Sequence, residues 1–295
     1  FCFPFGVSEG VALPHGASAN EVWDLKSAGK GTMVLGMDVA EPPGRVTKQI
    51  ILRDGHRALY QQHLLEGLSG RFNYGHHPIL AFPEGVACPV RVSPFRFGQV
   101  YPGQFAADPA SESSCLLPGG KFTDLAAIPR RDGETASLAS YPALDGFEDL
   151  VMISAAEDVR LGWTAVGFPD FVWLALRATA DFPSTLFWIS NGGRRQEPWN
   201  GRHRRRLGVE DVCSHFHDGA HISSQELLSG EGIVTSRAFA PSEPVSLRHI
   251  QMVVPSADPK AVSGVEFRDG GIEVRCEDGT SLAAAVDWPW LLQRS

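Results

Sequence analysis

The sequence predicts an all-β protein, a sandwich or barrel. Short apolar runs rich in β-branched and aromatic residues recur along the 295 positions, and such residues suit a pleated, half-buried surface. Turn pairs such as Asp54-Gly55, Pro169-Asp170 and Asp278-Gly279 separate the runs, which is how hairpins are punctuated. Sustained helical periodicity is nearly absent, and no repeat of about 20–50 residues occurs, which argues against bundles and propellers.

The elements follow in order. Residues 1–6, FCFPFG, read as a strand running into a turn. Pro14-His15-Gly16 is a turn ahead of a strand starting near Val22. Residues 32–39 alternate as one strand, and residues 46–67 read as two strands joined at Asp54-Gly55. His76 and His77 precede a proline and a short apolar strand, 79–82. Residues 83–145, rich in Pro, Gly, Ser and Ala, read as an excursion of loops and short strands along one rim. Strands resume at 150–154, 161–168, 171–179 and 186–189. After the turn Asn191-Gly192-Gly193 comes a polar, arginine-rich loop containing Trp199, and then Leu207-Gly208-Val209 delivers Glu210 and Asp211. Residues 232–240 and 247–254 look like antiparallel partners, and 264–288 carry two further turns. The whole reads as one domain over 1–295.

Composition narrows the function. A formal charge of −8 and a pI near 5.7 argue against nucleic acid or an anionic membrane as a partner. No apolar run approaches the ~20 residues of a membrane helix, and no signal-peptide pattern stands out. The five cysteines, at positions 2, 88, 115, 213 and 276, are odd in number and widely spaced. They suggest neither a disulfide framework nor a zinc motif, so a reducing, cytoplasmic setting is expected. Because the first residue is Phe1 and not methionine, the chain is expected to begin inside a longer one.

Three constellations carry chemistry-bearing residues. Cys213, His215, His217 and His221 form the series C-x-H-x-H-x3-H. A His-x-His pair on a strand shares one face and could bind metal as in a cupin, but the nearest following glutamate, Glu226, is nine residues beyond His217. The loop from Arg194 to Arg206 could clamp a sugar phosphate through charge-assisted bonds. The third constellation joins His15, His77 and Glu210, with tryptophans nearby. A carboxylate at the end of a buried strand is costly unless it is paired or protonated, so such groups gather at sites.

The third set carries a resemblance. The segment PHGASANEVWDL resembles the histidine–glycine region of the aldose 1-epimerases and their hexose-phosphate relatives. GHHPILAF is similar to their segment in which a histidine heads a strand, and residues 186–212 are similar to their later strand–loop–"C-L/V-E" stretch. The resemblance covers roughly residues 1 to 255. It departs at Asn20, where the family has arginine, at Ile79-Leu80 in place of Tyr-Phe, and in lacking the family's early arginine-bearing strands. It implies the large twisted antiparallel β-sandwich (supersandwich) of galactose mutarotases and interconversion of sugar anomers, with no metal and no cofactor. By the resemblance Glu210 is the base and His77 the acid, with His76 as the alternative to His77. His15 and Asp149 would bind substrate, and Trp188 would offer the sugar an apolar face. The expected partner is a small carbohydrate, free or phosphorylated. The reading set against it is a non-catalytic carbohydrate-binding or regulatory protein on the same fold.

Overall fold

The structure, a computed structural model, describes residues 1–7, 14–106 and 108–293. Two antiparallel sheets lie face to face. The larger runs, edge to edge, through Asp24–Gly29, Thr32–Val39, Gly44–Ile51, Ala58–Glu66, Val245–Pro255, Phe171–Ala178, Leu161–Gly167, Cys88–Val92 and Ser140–Tyr141. The smaller runs through Lys121–Phe122, Phe95–Val100, Glu148–Ala155, Ser184–Ser190, Arg206–Cys213 and Tyr74–Gly75, with Ile79–Ala81 paired to the start of Arg206–Cys213. The hairpin at Asp54-Gly55 pairs Ile51 with Tyr60, and Gly55 there takes the left-handed φ of 79° that glycine adopts at little cost.

Side-chain alternation decides what lies between the sheets. Val151, Ile153, Phe187, Ile189, Leu207 and Val209 of the smaller sheet bury against Val90, Val166, Trp173 and Ala175 of the larger. The opposite face of the larger sheet is covered too. A three-stranded meander, Val262–Arg268, Gly271–Cys276 and Ser281–Ala285, closes over Ala165, Val172, Leu174, Ile250 and Met252 with Trp290 and Leu291. Phe171–Ala178 therefore has apolar company on both sides and reads as a continuous apolar run. On the outer face of the smaller sheet, Cys2, Phe5, Phe216 and Ile233 pack over Leu150, Met152, Leu186 and Val212, and ionisable residues are mixed with the apolar ones there.

Three expectations are corrected. Residues 1–6 form no strand, only a bridge from Cys2 to Gly75. The strand expected from Val22 begins at Asp24, after a short helix, Ala17–Asn20. Residues 232–240 and 247–254 are not partners: Arg237–Phe239 pairs with Gly70–Phe72, while Val245–Pro255 lies between Ala58–Glu66 and Phe171–Ala178.

Candidate active site

Register builds the centre of the site. Arg206–Cys213 receives two short strands along one edge. Tyr74–Gly75 pairs with Cys213 and Val212, and Ile79–Ala81 pairs with Gly208, Leu207 and Arg206. His76, His77 and Pro78 span the gap, tied by His76 N–H to the Asp211 carbonyl (2.9 Å) and by Val209 N–H to the Pro78 carbonyl (3.0 Å). This brings His77 beside Glu210, with Nδ1 3.1 Å from Oε1. The approach is close but out of line, since Nδ1 has no hydrogen bond of proper geometry. Gly208 makes room for the carboxylate, because a Cβ there would lie 2.4 Å from Glu210 Oε1 and 3.0 Å from Trp188 Cβ.

His15 arrives from the amino-terminal segment. Its backbone N–H donates to the Gly6 carbonyl (2.7 Å), and Gly6 N–H donates to its Nδ1 (3.2 Å). The second bond makes Nδ1 the acceptor, so the ring's proton sits on Nε2. The His15 ring meets His77 edge-on at 4.6 Å, and Trp188 meets His77 from another side at 5.9 Å. His15, His77, Trp188 and Glu210 thus share one cluster on the outer face.

Burial sets the charge state of this cluster. It pushes the Glu210 carboxyl well above the usual carboxylate range, because taking a carboxylate out of water penalises its charged form. Burial, and after it the neighbouring His15, pushes His77 down to about 3. Burial and then His217 lower His15 to about 4.

Asp149 lies elsewhere, which corrects its expected place at the substrate. It pairs with Ile189 and so faces the space between the sheets. Its carboxylate accepts the backbone N–H groups of Cys115 (3.1 Å) and Leu116 (3.3 Å). Its neighbour Glu148 is the residue on the site's face, and sequence reasoning missed it. Glu148 accepts from Trp188 Nε1 (3.0 Å) and Ser190 Oγ (2.7 Å), and Ser190 Oγ also lies 2.5 Å from His203 Nδ1. Burial, acting against those bonds, lifts Glu148 to about 7. His203 stacks on Trp188 at 5.2 Å, with Trp199 edge-on to both.

The histidine series does not converge. Cys213 packs between the sheets with Tyr74 and Phe182, His215 pairs with Asp218 (2.9 Å), and His221 sits exposed on the helix Gly219–Ser224 near Gln225. Only His217 turns to the site, edge-on to Tyr101 at 4.6 Å and Phe105 at 5.4 Å. The arginine loop disperses as well. Arg195 donates to Ser113 Oγ (2.7 Å), Arg204 pairs with Asp145 (2.6 Å), and Arg205 faces Glu84 (3.8 Å). Arg194 alone among these turns inward, over Trp188. A depression of about 620 Å³ beside the site, lined by Pro102, Gln104, Glu112, Ser113, Arg131 and Phe147 among others, includes none of the His77 cluster.

Two solved structures with the same architecture carry related names. A candidate aldose 1-epimerase from Escherichia coli K12 superposes with a TM-score of 0.58 at 12% identity, over 85% of this chain and 76% of that one. A galactose mutarotase related enzyme from Lactobacillus acidophilus gives 0.50 at 12% identity, over 85% and 81%. The fold is that of the galactose mutarotases. No protein-family model and no curated protein sequence matches the chain. At such identity the likeness speaks for the fold, and the site must speak for the chemistry.

Proposed function

We propose that this chain is a carbohydrate mutarotase, an isomerase that interconverts the α and β anomers of a hexose or related sugar. The 3.1 Å approach of His77 Nδ1 to Glu210 Oε1, beside His15 and Trp188, carries the reading. Opening a hemiacetal ring removes a proton from the C1 hydroxyl and adds one to the ring oxygen. The pair must therefore hold one proton between them. With Glu210 raised and His77 lowered, that proton rests on Glu210 in preference to His77 while the pocket is empty. Transfer of that proton to His77 leaves Glu210 to accept from the C1 hydroxyl and His77 to protonate the ring oxygen. The C1–C2 bond then rotates, and the same pair runs in reverse to close the ring. A positioned group of this kind contributes about 10²–10⁴-fold.

His15 presents its Nε2 proton to a sugar oxygen, and Trp188 gives the sugar's C–H face an apolar surface. The reaction consists of proton transfers, so the reading calls for neither metal nor cofactor. The five cysteines are all unpaired and buried, which supports the reducing, cytoplasmic setting. Among the described residues no helix is long and apolar enough to cross a membrane. Saturation-transfer NMR on freshly dissolved hexoses tests the reading. Faster α–β exchange is the expected result, whereas sugar binding without any acceleration would make this a binding protein.

A further inference from the structure

We propose that the site selects a sugar bearing a single carboxylate, a hexuronate, and that Arg194 is the residue that recognises it. The inference rests on the mutarotase reading and names its substrate class.

The placement of Arg194 is the first argument. Its guanidinium carbon lies 5.5 Å from the Trp188 ring, 5.3 Å from Trp199 and 5.5 Å from Phe105. Trp188 also touches His77 at 5.9 Å. One indole therefore has the acid–base pair on one flank and a guanidinium on another. A pyranose resting there with its anomeric end at His77 and Glu210 would direct its far substituent toward Arg194.

The second argument is what the guanidinium leaves unused. Among the described residues its Nε has no hydrogen-bond partner. The nearest carboxylate oxygen, Glu112 Oε1, is 3.4 Å from Nε and already accepts Gln196 Nε2 at 2.7 Å. Among the described residues Nη1 and Nη2 donate to no acceptor, although the side chain is only 20% exposed. A half-enclosed guanidinium with free parallel donors matches a carboxylate, which it can bind through two bonds at once.

Charge count separates a carboxylate from a phosphate. Arg195, Arg204 and Arg205 are turned to Ser113, Asp145 and Glu84, and burial keeps His15, His77 and His217 uncharged at neutral pH. Arg194 thus faces the cluster between the Glu112 carboxylate, 3.4 Å from its Nε, and the Glu148 carboxyl that hydrogen-bonds Trp188. This balance suits a monoanion better than a phosphate dianion.

The test measures anomer exchange for glucuronate and galacturonate, the parent hexoses, and glucose 6-phosphate, with wild type, Arg194→Gln and Arg194→Lys. Ligand-observed NMR on the same samples reports binding separately. We expect kcat/KM for a hexuronate to exceed that for its parent hexose by about tenfold or more, the scale of one charge-assisted contact. In Arg194→Gln that ratio should fall to near one. Arg194→Lys, which keeps the charge but loses the paired donors, should fall between. Equal rates for acid and neutral sugars in wild type, a preference that survives Arg194→Gln, or glucose 6-phosphate outpacing both hexuronates would each overturn the proposal. If wild type accelerates no sugar yet binds hexuronates through Arg194, the ring-opening reading fails and the recognition stands. If it accelerates hexoses with no preference for the acids, recognition fails alone.

Discussion

At the scale of single residues, the two carboxylates at 148 and 149 divide the work that sequence reasoning gave to one. Glu148–Ala155 is buried on both faces, so its alternation of apolar residues offered no clue as to which acid faces the site. His15 and His77 drew notice as polar groups beside turns, and Glu210 as a carboxylate after an apolar run, although the strand Arg206–Cys213 continues past it. Asp149→Asn should cost about 1–3 kcal/mol, since an amide nitrogen would face backbone donors at Cys115 or Leu116. Sugar binding should not change, and urea denaturation beside NMR titration measures both. The His77–Glu210 pair also predicts a pH–rate profile. Activity should hold from above about 3, where His77 would take a second proton, up to the raised Glu210 value, beyond which the pair has no proton to give. A rate that falls between pH 5 and pH 4, the ordinary range of a glutamate, would show that Glu210 is an unperturbed carboxylate.

At the scale of elements, the strand Arg206–Cys213 carries Glu210 outward and Asp211 inward, and each face has its own task. Asp211 is locked by Arg177 (3.0 Å), His249 (2.8 Å) and Thr185 Oγ1 (2.7 Å). Burial opposes its charge, yet Arg177 and the bonds from His249 and Thr185 hold it below the usual carboxylate range. Removing one partner of such a buried pair typically costs about 3–5 kcal/mol, so Asp211→Ala should destabilise the fold strongly. Gly208→Ala should act differently, because its Cβ would press on the Glu210 carboxylate and on Trp188. A displacement near 1 Å can cost about 10²-fold in rate, so we expect a large loss of anomer exchange with a modest loss of stability, read by NMR and thermal melting. The hairpins of this sandwich were readable from Asp54-Gly55, Pro169-Asp170 and the turns of the final meander. Long-range pairing was not. Arg237–Phe239 joins Gly70–Phe72 across some 165 positions, and nothing local in either segment announces the other.

At the scale of the whole molecule, the space between the sheets encloses imidazoles as well as hydrocarbon. His63, His76 and His249 are nearly inaccessible, with His76 stacked on His249 at 4.2 Å and edge-on to His63 at 5.1 Å. Burial holds His63 and His76 well below their ordinary value. The unfolded chain therefore binds more protons than the folded one once the pH drops under about 6.5. Each of these histidines should cost up to about 1.4 kcal/mol per pH unit there. The raised Glu210, Glu148 and Asp149 carboxyls work in the opposite sense, losing stability as pH rises above about 4, but they stand against the lowered His15, His63, His76, His77, His203 and His217. Urea midpoints at pH 7.5 and 5.5 should fall on acidification, and His63→Phe should lessen the fall. The same closed sandwich holds His77, Glu210 and Trp188 in register, so the most direct measurement compares wild type, Glu210→Gln and His77→Asn by saturation-transfer NMR with the sugar bound. The pair predicts accelerated exchange in wild type and a loss of at least about 10²-fold in each variant, with sugar affinity nearly kept. Exchange that survives both substitutions would contradict it.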